Sequence, residues 1–108
     1  MESQHLVSEL LKRPIAYHSA VAKAFGSVKL ALMWCQLYYW SERVLDPEGW
    51  VYKSQQDFYE ETGLTRKNLD SSRELGKKLG VLEEKLAGNP PILHYRINLE
   101  NTIRILDD

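Results

Sequence analysis

Thirteen residues, Val28 to Trp40, form the most apolar run of the chain. They are too few to cross a bilayer, which takes about 20, and Lys29 and Gln36 interrupt them. Leu30, Leu32, Met33, Trp34, Leu37, Tyr38, Tyr39 and Trp40 lie nearly all round a helix at 3.6 residues per turn. Such a helix has no natural solvent face, so it belongs at the centre of a fold or against a partner. In a chain of 108 residues there is room for about one domain and one modest core, and this helix is expected to be its axis, running from a Ser27 cap to about Val44.

Local signals place the other elements around it. Leu6, Val7, Leu10 and Leu11 have helical spacing within residues 3–12, and Pro14 ends that segment. A short helix over about 16–25 stops at Gly26. Asp46-Pro47-Glu48-Gly49 is a turn by composition, and Trp50-Val51-Tyr52 has strand chemistry. Ser54 caps a helix with Asp57 in an imperfect capping box. Gly63 ends that helix and Thr65 caps the next, with Leu64 under the joint. Helix, a three-residue turn with Gly, and helix is helix-turn-helix spacing. The second of these helices is expected over 65–79, stopped by Gly80. Val81–Leu86 and Ile92–Ile97 alternate apolar with polar residues about an Ala87-Gly88-Asn89-Pro90-Pro91 turn, which predicts a hairpin. Leu99, Ile103 and Leu106 close the chain at helical spacing. The order is α-α-β-α-α-β-β-α with one further helix in front, and there is no repeat or linker. The fold class is α+β, mainly α with a small β-wing. The expected division is an N-terminal helical extension, 1–13, and one domain, 14–108.

Several function classes lack their residues. The single cysteine, Cys35, forms neither an internal disulfide nor a multi-Cys zinc site, and in so apolar a helix it reads as a core thiol. His5, His18 and His94 are scattered, with no metal-ligand spacing. No glycine-rich phosphate loop is present. Glu60-Glu61 and Glu83-Glu84 are adjacent pairs whose side chains diverge, which is poor geometry for acid–base work. The expectation is no enzyme, no cofactor and no metal. No signal or membrane segment is evident, so a cytoplasmic, reduced setting is expected.

The net charge of −1 hides an asymmetry. Arg66 to Lys78 holds five basic and two acidic residues, whereas Glu42 to Glu61 holds six acidic and two basic. On the 65–79 helix, Leu69, Ser72, Leu75, Gly76 and Leu79 share one face, the core side, and inward Gly76 implies close approach by another helix. Lys67, Asp70, Ser71, Glu74 and Lys78 occupy the opposite face. Arg66, Arg73 and Lys77 lie on one flank, and Asn68 lies on the other, where it can turn back to the cap. Arg66–Asp70 and Glu74–Lys78 have the spacing of i, i+4 ion pairs. A helix face laced in this way is also compatible with simple solvation.

The run Gln36-Leu-Tyr-Tyr-Trp40, with Trp50-Val-Tyr-Lys-Ser54, Glu61-Thr-Gly-Leu-Thr-Arg-Lys67, Leu79-Gly-Val-Leu-Glu83 and His94-Tyr-Arg-Ile-Asn98, resembles a winged helix-turn-helix domain. More narrowly it resembles the N-terminal domains of replication-initiation proteins of phages and related mobile elements, over most of residues 14–106. The resemblance implies a module that binds double-stranded DNA in replication initiation or transcription regulation. The 65–79 helix would read the major groove and the 81–97 hairpin would be the wing.

On that reading Thr65, Arg66 and Lys67 stand where groove contacts fall. Arg66 or Lys67 would pair with guanine and Asn68, if turned outward, with adenine. Ser71 would meet a base edge or phosphate, and Lys77 and Lys78, with Arg73 on the flank, would stand near phosphates. Ser54 and Gln55 would donate to a phosphate at a helix N-terminus. Lys85, Asn89 and Arg96 are the wing candidates. Ser54 and Thr65 are caps first, and Asn89 before Pro90 is turn chemistry as well.

The alternative is a winged helix that docks on a replication or transcription protein. The aromatic set Trp34, Tyr38, Tyr39, Trp40, Trp50, Tyr52, Phe58 and Tyr59 is expected to be mostly core. The apolar excess of the central helix points either to a homodimer involving that helix or the N-terminal helix, or to the N-terminal helix folding back.

Overall fold

The computed structural model describes residues 17–108. The expected 3–12 helix, the boundary at residue 13, and pairing through the N-terminal helix lie outside these residues. Within them the chain is α+β. Its elements are α1 (Ser19–Phe25), α2 (Val28–Ser41), β1 (Val51–Tyr52), α3 (Gln55–Thr62), α4 (Arg66–Leu79), β2 (Leu82–Ala87), β3 (Ile92–Ile97) and α5 (Leu99–Asp107). The three strands form one antiparallel sheet in the order β1-β3-β2. No helix among the described residues is long and apolar enough to cross a membrane.

The helix ends follow from side chains within reach of their own backbone. Ser27 accepts from the Leu30 amide. Ser54 and Asp57 form a complete reciprocal capping box, as do Thr65 and Asn68. Each box satisfies two amides at a helix start that have no helical acceptor. The expected helix to Val44 is shorter and ends at Ser41. There Ser41 Oγ and Arg43 Nη1 donate to the Tyr38 and Tyr39 carbonyls, each at 2.7 Å, while the Arg43 and Val44 amides both turn onto Trp40 O.

Helix α2 is buried on two sides. Leu30, Ala31, Trp34 and Cys35 join Val21, Ala22, Phe25 and Val81 in one cluster. Met33 and Leu37 join Val51, Phe58, Leu64, Leu69, Leu82 and Tyr95 in a second. The aromatic set is less buried than expected. Trp34 and Phe58 are core, Trp40 and Trp50 are half-buried, and Tyr38, Tyr39, Tyr52 and Tyr59 are exposed. The phenol hydroxyl lets a tyrosine remain at a wet boundary. On α5, Thr102 is buried whereas Leu99, Ile103 and Leu106 are exposed, so the residues whose spacing predicts this helix lie on its outer side.

Gly76 permits a close approach between three elements. A Cβ there would lie 2.9 Å from Leu82 Cβ and 3.2 Å from Leu30 Cδ1. The close neighbour is therefore strand β2 as well as helix α2. This contact presses α4 onto the hairpin.

A polar network absent from the sequence reading ties α3 to α2. Lys53 is only 7% exposed, and its ammonium meets Glu61 Oε2 at 2.5 Å. Glu61 Oε1 accepts from Trp40 Nε1 at 2.9 Å and from Gln36 Nε2. The Lys53 ammonium also lies 4.6 Å from the Trp40 ring centre. Burial pushes the Glu61 carboxyl up, but hydrogen bonds from Lys53, Trp40 and Gln36 and the Lys53 charge outweigh it, and the net shift is downward.

Two predictions follow from this packing. Gly76→Ala is expected to destabilise the domain by about 1–3 kcal/mol through overpacking, read as a lower urea midpoint at unchanged m-value. Glu61→Gln leaves the Lys53 charge poorly compensated and is expected to cost about 1–3 kcal/mol at neutral pH. A carboxylate with a depressed folded-state pKa stabilises above its unfolded pKa, and that contribution is lost as pH falls through the folded value. The gap between the wild type and Glu61→Gln should therefore be largest above the ordinary glutamate range and close on acidification below it, which urea unfolding across pH would record.

Candidate nucleic-acid interface

The turn Gly63-Leu64-Thr65 joins α3 to α4. Gly63 is left-handed at φ 79°, a conformation glycine adopts without a Cβ penalty. Buried Leu64 pins the joint into the second core cluster. Thr65, Arg66 and Lys67 emerge exposed at the start of α4. Among the described residues, Arg66, Lys67 and Lys78 take part in no ion pair. The expected Arg66–Asp70 and Glu74–Lys78 pairs are not formed. Asp70 instead meets Arg73 at 3.5 Å.

Several candidates already have local partners. Asn68 Oδ1 accepts from the Thr65 amide at 3.1 Å and Thr65 Oγ1 from the Asn68 amide at 3.2 Å. Asn68 is thus turned back to the cap, not outward toward an adenine. Ser54 is half-buried and caps α3, while Gln55 beside it is exposed. Ser71 is exposed, and its hydroxyl donates to Lys67 O at 3.1 Å.

Arg73 and Lys77 are held by a residue weighed from the sequence only as half of an adjacent acidic pair. Glu84, on β2, has a side chain only 10% exposed. Its Oε2 accepts from Arg73 Nε at 2.7 Å, and its Oε1 accepts from Arg73 Nη2 at 3.1 Å and Lys77 Nζ at 3.3 Å. Burial alone would raise the Glu84 carboxyl, but Arg73 and Lys77 bring it below the usual range. A signal was present: Glu84 shares one face of β2 with buried Leu82, where a carboxylate requires a cation.

The wing candidates separate from the α4 side of the sheet. Glu84 faces α4, so by strand alternation Glu83 and Lys85 point to the other face. Arg96 pairs there with Glu83 at 3.1 Å and Glu48 at 3.7 Å. Lys85 Nζ and the Arg96 guanidinium carbon lie 4.4 and 4.5 Å from the Trp50 ring centre. This knot fastens the 46–50 turn to the hairpin. Asn89 is exposed in the hairpin turn, and the Asn89–Pro90 peptide is cis.

Beyond the cap residues Ser54, Thr65 and Asn68 and the turn residue Asn89, the predicted residues divide into three groups. Arg66, Lys67, Ser71 and Lys78, with Gln55 at the start of α3, remain exposed. Arg73 and Lys77 are drawn to Glu84, and Lys85 and Arg96 surround Trp50 on the opposite sheet face. No group of three or more His, Cys, Asp or Glu residues among those described is arranged to hold a metal ion. Comparison with protein-family models, curated proteins and solved structures yielded no match to this chain.

Proposed function

We propose that the chain is a winged helix-turn-helix module that binds duplex DNA, with α4 in the major groove and the β2–β3 hairpin as the wing. The observation that carries this reading is the unpaired, exposed Arg66 and Lys67 at the first turn of a helix-turn-helix helix whose start is locked by a capping box. A helix start presents unbonded amides and a partial positive charge toward an anion. The first turn is also where groove contacts of this motif fall. Ser71 and Lys78 extend the same outward side, and Gln55 stands at the neighbouring helix start. Arg73 lies outside this contact set because Glu84 occupies its guanidinium.

The resemblance to replication-initiation domains of phages and mobile elements supports a role in replication initiation or transcription regulation. The second reading is docking on a replication or transcription protein. It draws on Asp70 and Glu74, exposed in the middle of the outward face, where they would repel phosphate but could complement a basic protein surface. An acidic side chain can equally accept from cytosine in the groove.

Fluorescence anisotropy on a labelled random duplex between about 50 and 200 mM salt separates the readings. Three unpaired cations predict a log–log salt slope of about −2.7. The double variant Arg66→Ala/Lys67→Ala is expected to weaken binding at least about tenfold at low salt and to flatten the slope by about two. Unchanged affinity in that variant would remove α4 from the interface. Absence of binding at low salt would leave the protein-docking reading.

A further inference from the structure

We infer that Glu84 limits the sequence-independent affinity of this surface by holding Arg73 and Lys77 away from phosphate. The inference rests on the DNA-binding reading and adds a residue that no groove contact would reveal. Five basic residues stand on α4, but they are not equally available. Glu84 makes two hydrogen bonds to the Arg73 guanidinium and one to the Lys77 ammonium. Asp70 adds a longer contact to Arg73 from the other side.

A cation already neutralised by a carboxylate carries little condensed-counterion advantage to a phosphate. Binding through it requires first breaking charge-assisted hydrogen bonds, which are stronger than neutral ones. The Arg73–Glu84 pair is partly buried and geometrically bidentate, so it is not a loosely held surface contact. Phosphate binding consequently falls to Arg66, Lys67 and Lys78, and these cluster toward the base-reading first turn and one distant turn. Weak phosphate binding raises the relative weight of base contacts, since non-specific affinity comes almost entirely from phosphates. Glu84 thus acts on specificity through other side chains, as a positioning residue with no DNA contact of its own.

The test compares salt slopes on a random-sequence duplex for the wild type, Glu84→Gln and Arg73→Gln. Glu84→Gln keeps the size and shape of the side chain while removing its charge and one of the two oxygens that accept from Arg73 and Lys77. It frees two cations, so the slope should steepen from about −2.7 to about −4.5. The affinity loss between 50 and 200 mM salt should then rise from about 40-fold to about 500-fold. Binding at about 50 mM salt should be roughly tenfold tighter or more. Arg73→Gln in the presence of Glu84 should leave the wild-type slope unchanged, and Glu84→Gln/Arg73→Gln should retain only about half of the gain.

Circular dichroism and a urea midpoint identify folded variants. A folded Glu84→Gln protein with the wild-type slope overturns the inference while the DNA reading stands. Arg73→Gln flattening the slope by about one also overturns it, because Arg73 would then already be on phosphate, and this arm holds even where Glu84→Gln does not fold. If neither the wild type nor Glu84→Gln binds duplex at low salt, the DNA reading and the inference fail together.

Discussion

The two-sided burial of α2 organises everything else in the molecule. A helix with apolar residues on most of its circumference must be covered by more than one layer. Here α1 and Val81, with Leu75 and Leu79 of α4, cover one side, and α3, the start of α4 and the sheet cover the other. The chain can do this only if α4 and β2 lie very close together, and Gly76 against Leu82 and Leu30 is where that closeness is achieved. The orientation of α4, and with it the direction in which Arg66 and Lys67 point, is a consequence of packing around one central helix.

Charge is distributed with equal economy. The surface is close to neutral overall, yet individual charges are sorted by burial. Lys53 and Glu61 sit under the α2–α3 junction, and Arg73 and Lys77 converge on Glu84 at the α4–hairpin junction. Arg96 lies among Glu83, Glu48 and Trp50 at the turn-to-hairpin junction. Each of these three junctions is held by an ion pair or a cation over an aromatic ring, beside the apolar core. Where a partner is largely desolvated, as at Lys53–Glu61 and Arg73–Glu84, the pair contributes little net stability when both are present but costs much when one is removed. Such pairs therefore define relative orientation more than they add cohesion. What remains for an external partner are the cations that no junction has claimed.

Helix starts and stops were legible in the amino-acid order. Ser27, Ser54 and Thr65 cap, and Gly26, Gly63 and Gly80 stop, because these interactions span no more than a few residues and backbone geometry alone brings the groups together. The strands were legible through alternation, and burial of Cys35 and Gly76 through helical periodicity. At α5 the spacing predicted the helix but assigned no inner face, and there Thr102, with its hydroxyl bonded to Asn98 O, faces inward while Leu99, Ile103 and Leu106 do not. The expectation of a mostly buried aromatic set, drawn from the small size of the domain, was too high. Spacing identifies which residues share a face but not which face the neighbouring elements leave uncovered.

The candidate site was half legible for the same reason. Its membership on α4 and the return of Asn68 to the cap were within reach of helical geometry. The removal of Arg73 and Lys77 by Glu84, eleven and seven residues away in the chain, was not, and neither was the gathering of Gln36, Trp40 and Lys53 on Glu61. These partnerships depend on the distance and angle between whole elements. Sequence by itself determined the elements, most of their limits and the existence of a basic helix after a short glycine-containing turn between two helices, because each depends on contacts within one or two turns. Only the tertiary structure decided which of the cations on that helix are free, because a buried carboxylate takes whichever cation the packing of α4 against β2 brings within hydrogen-bonding distance.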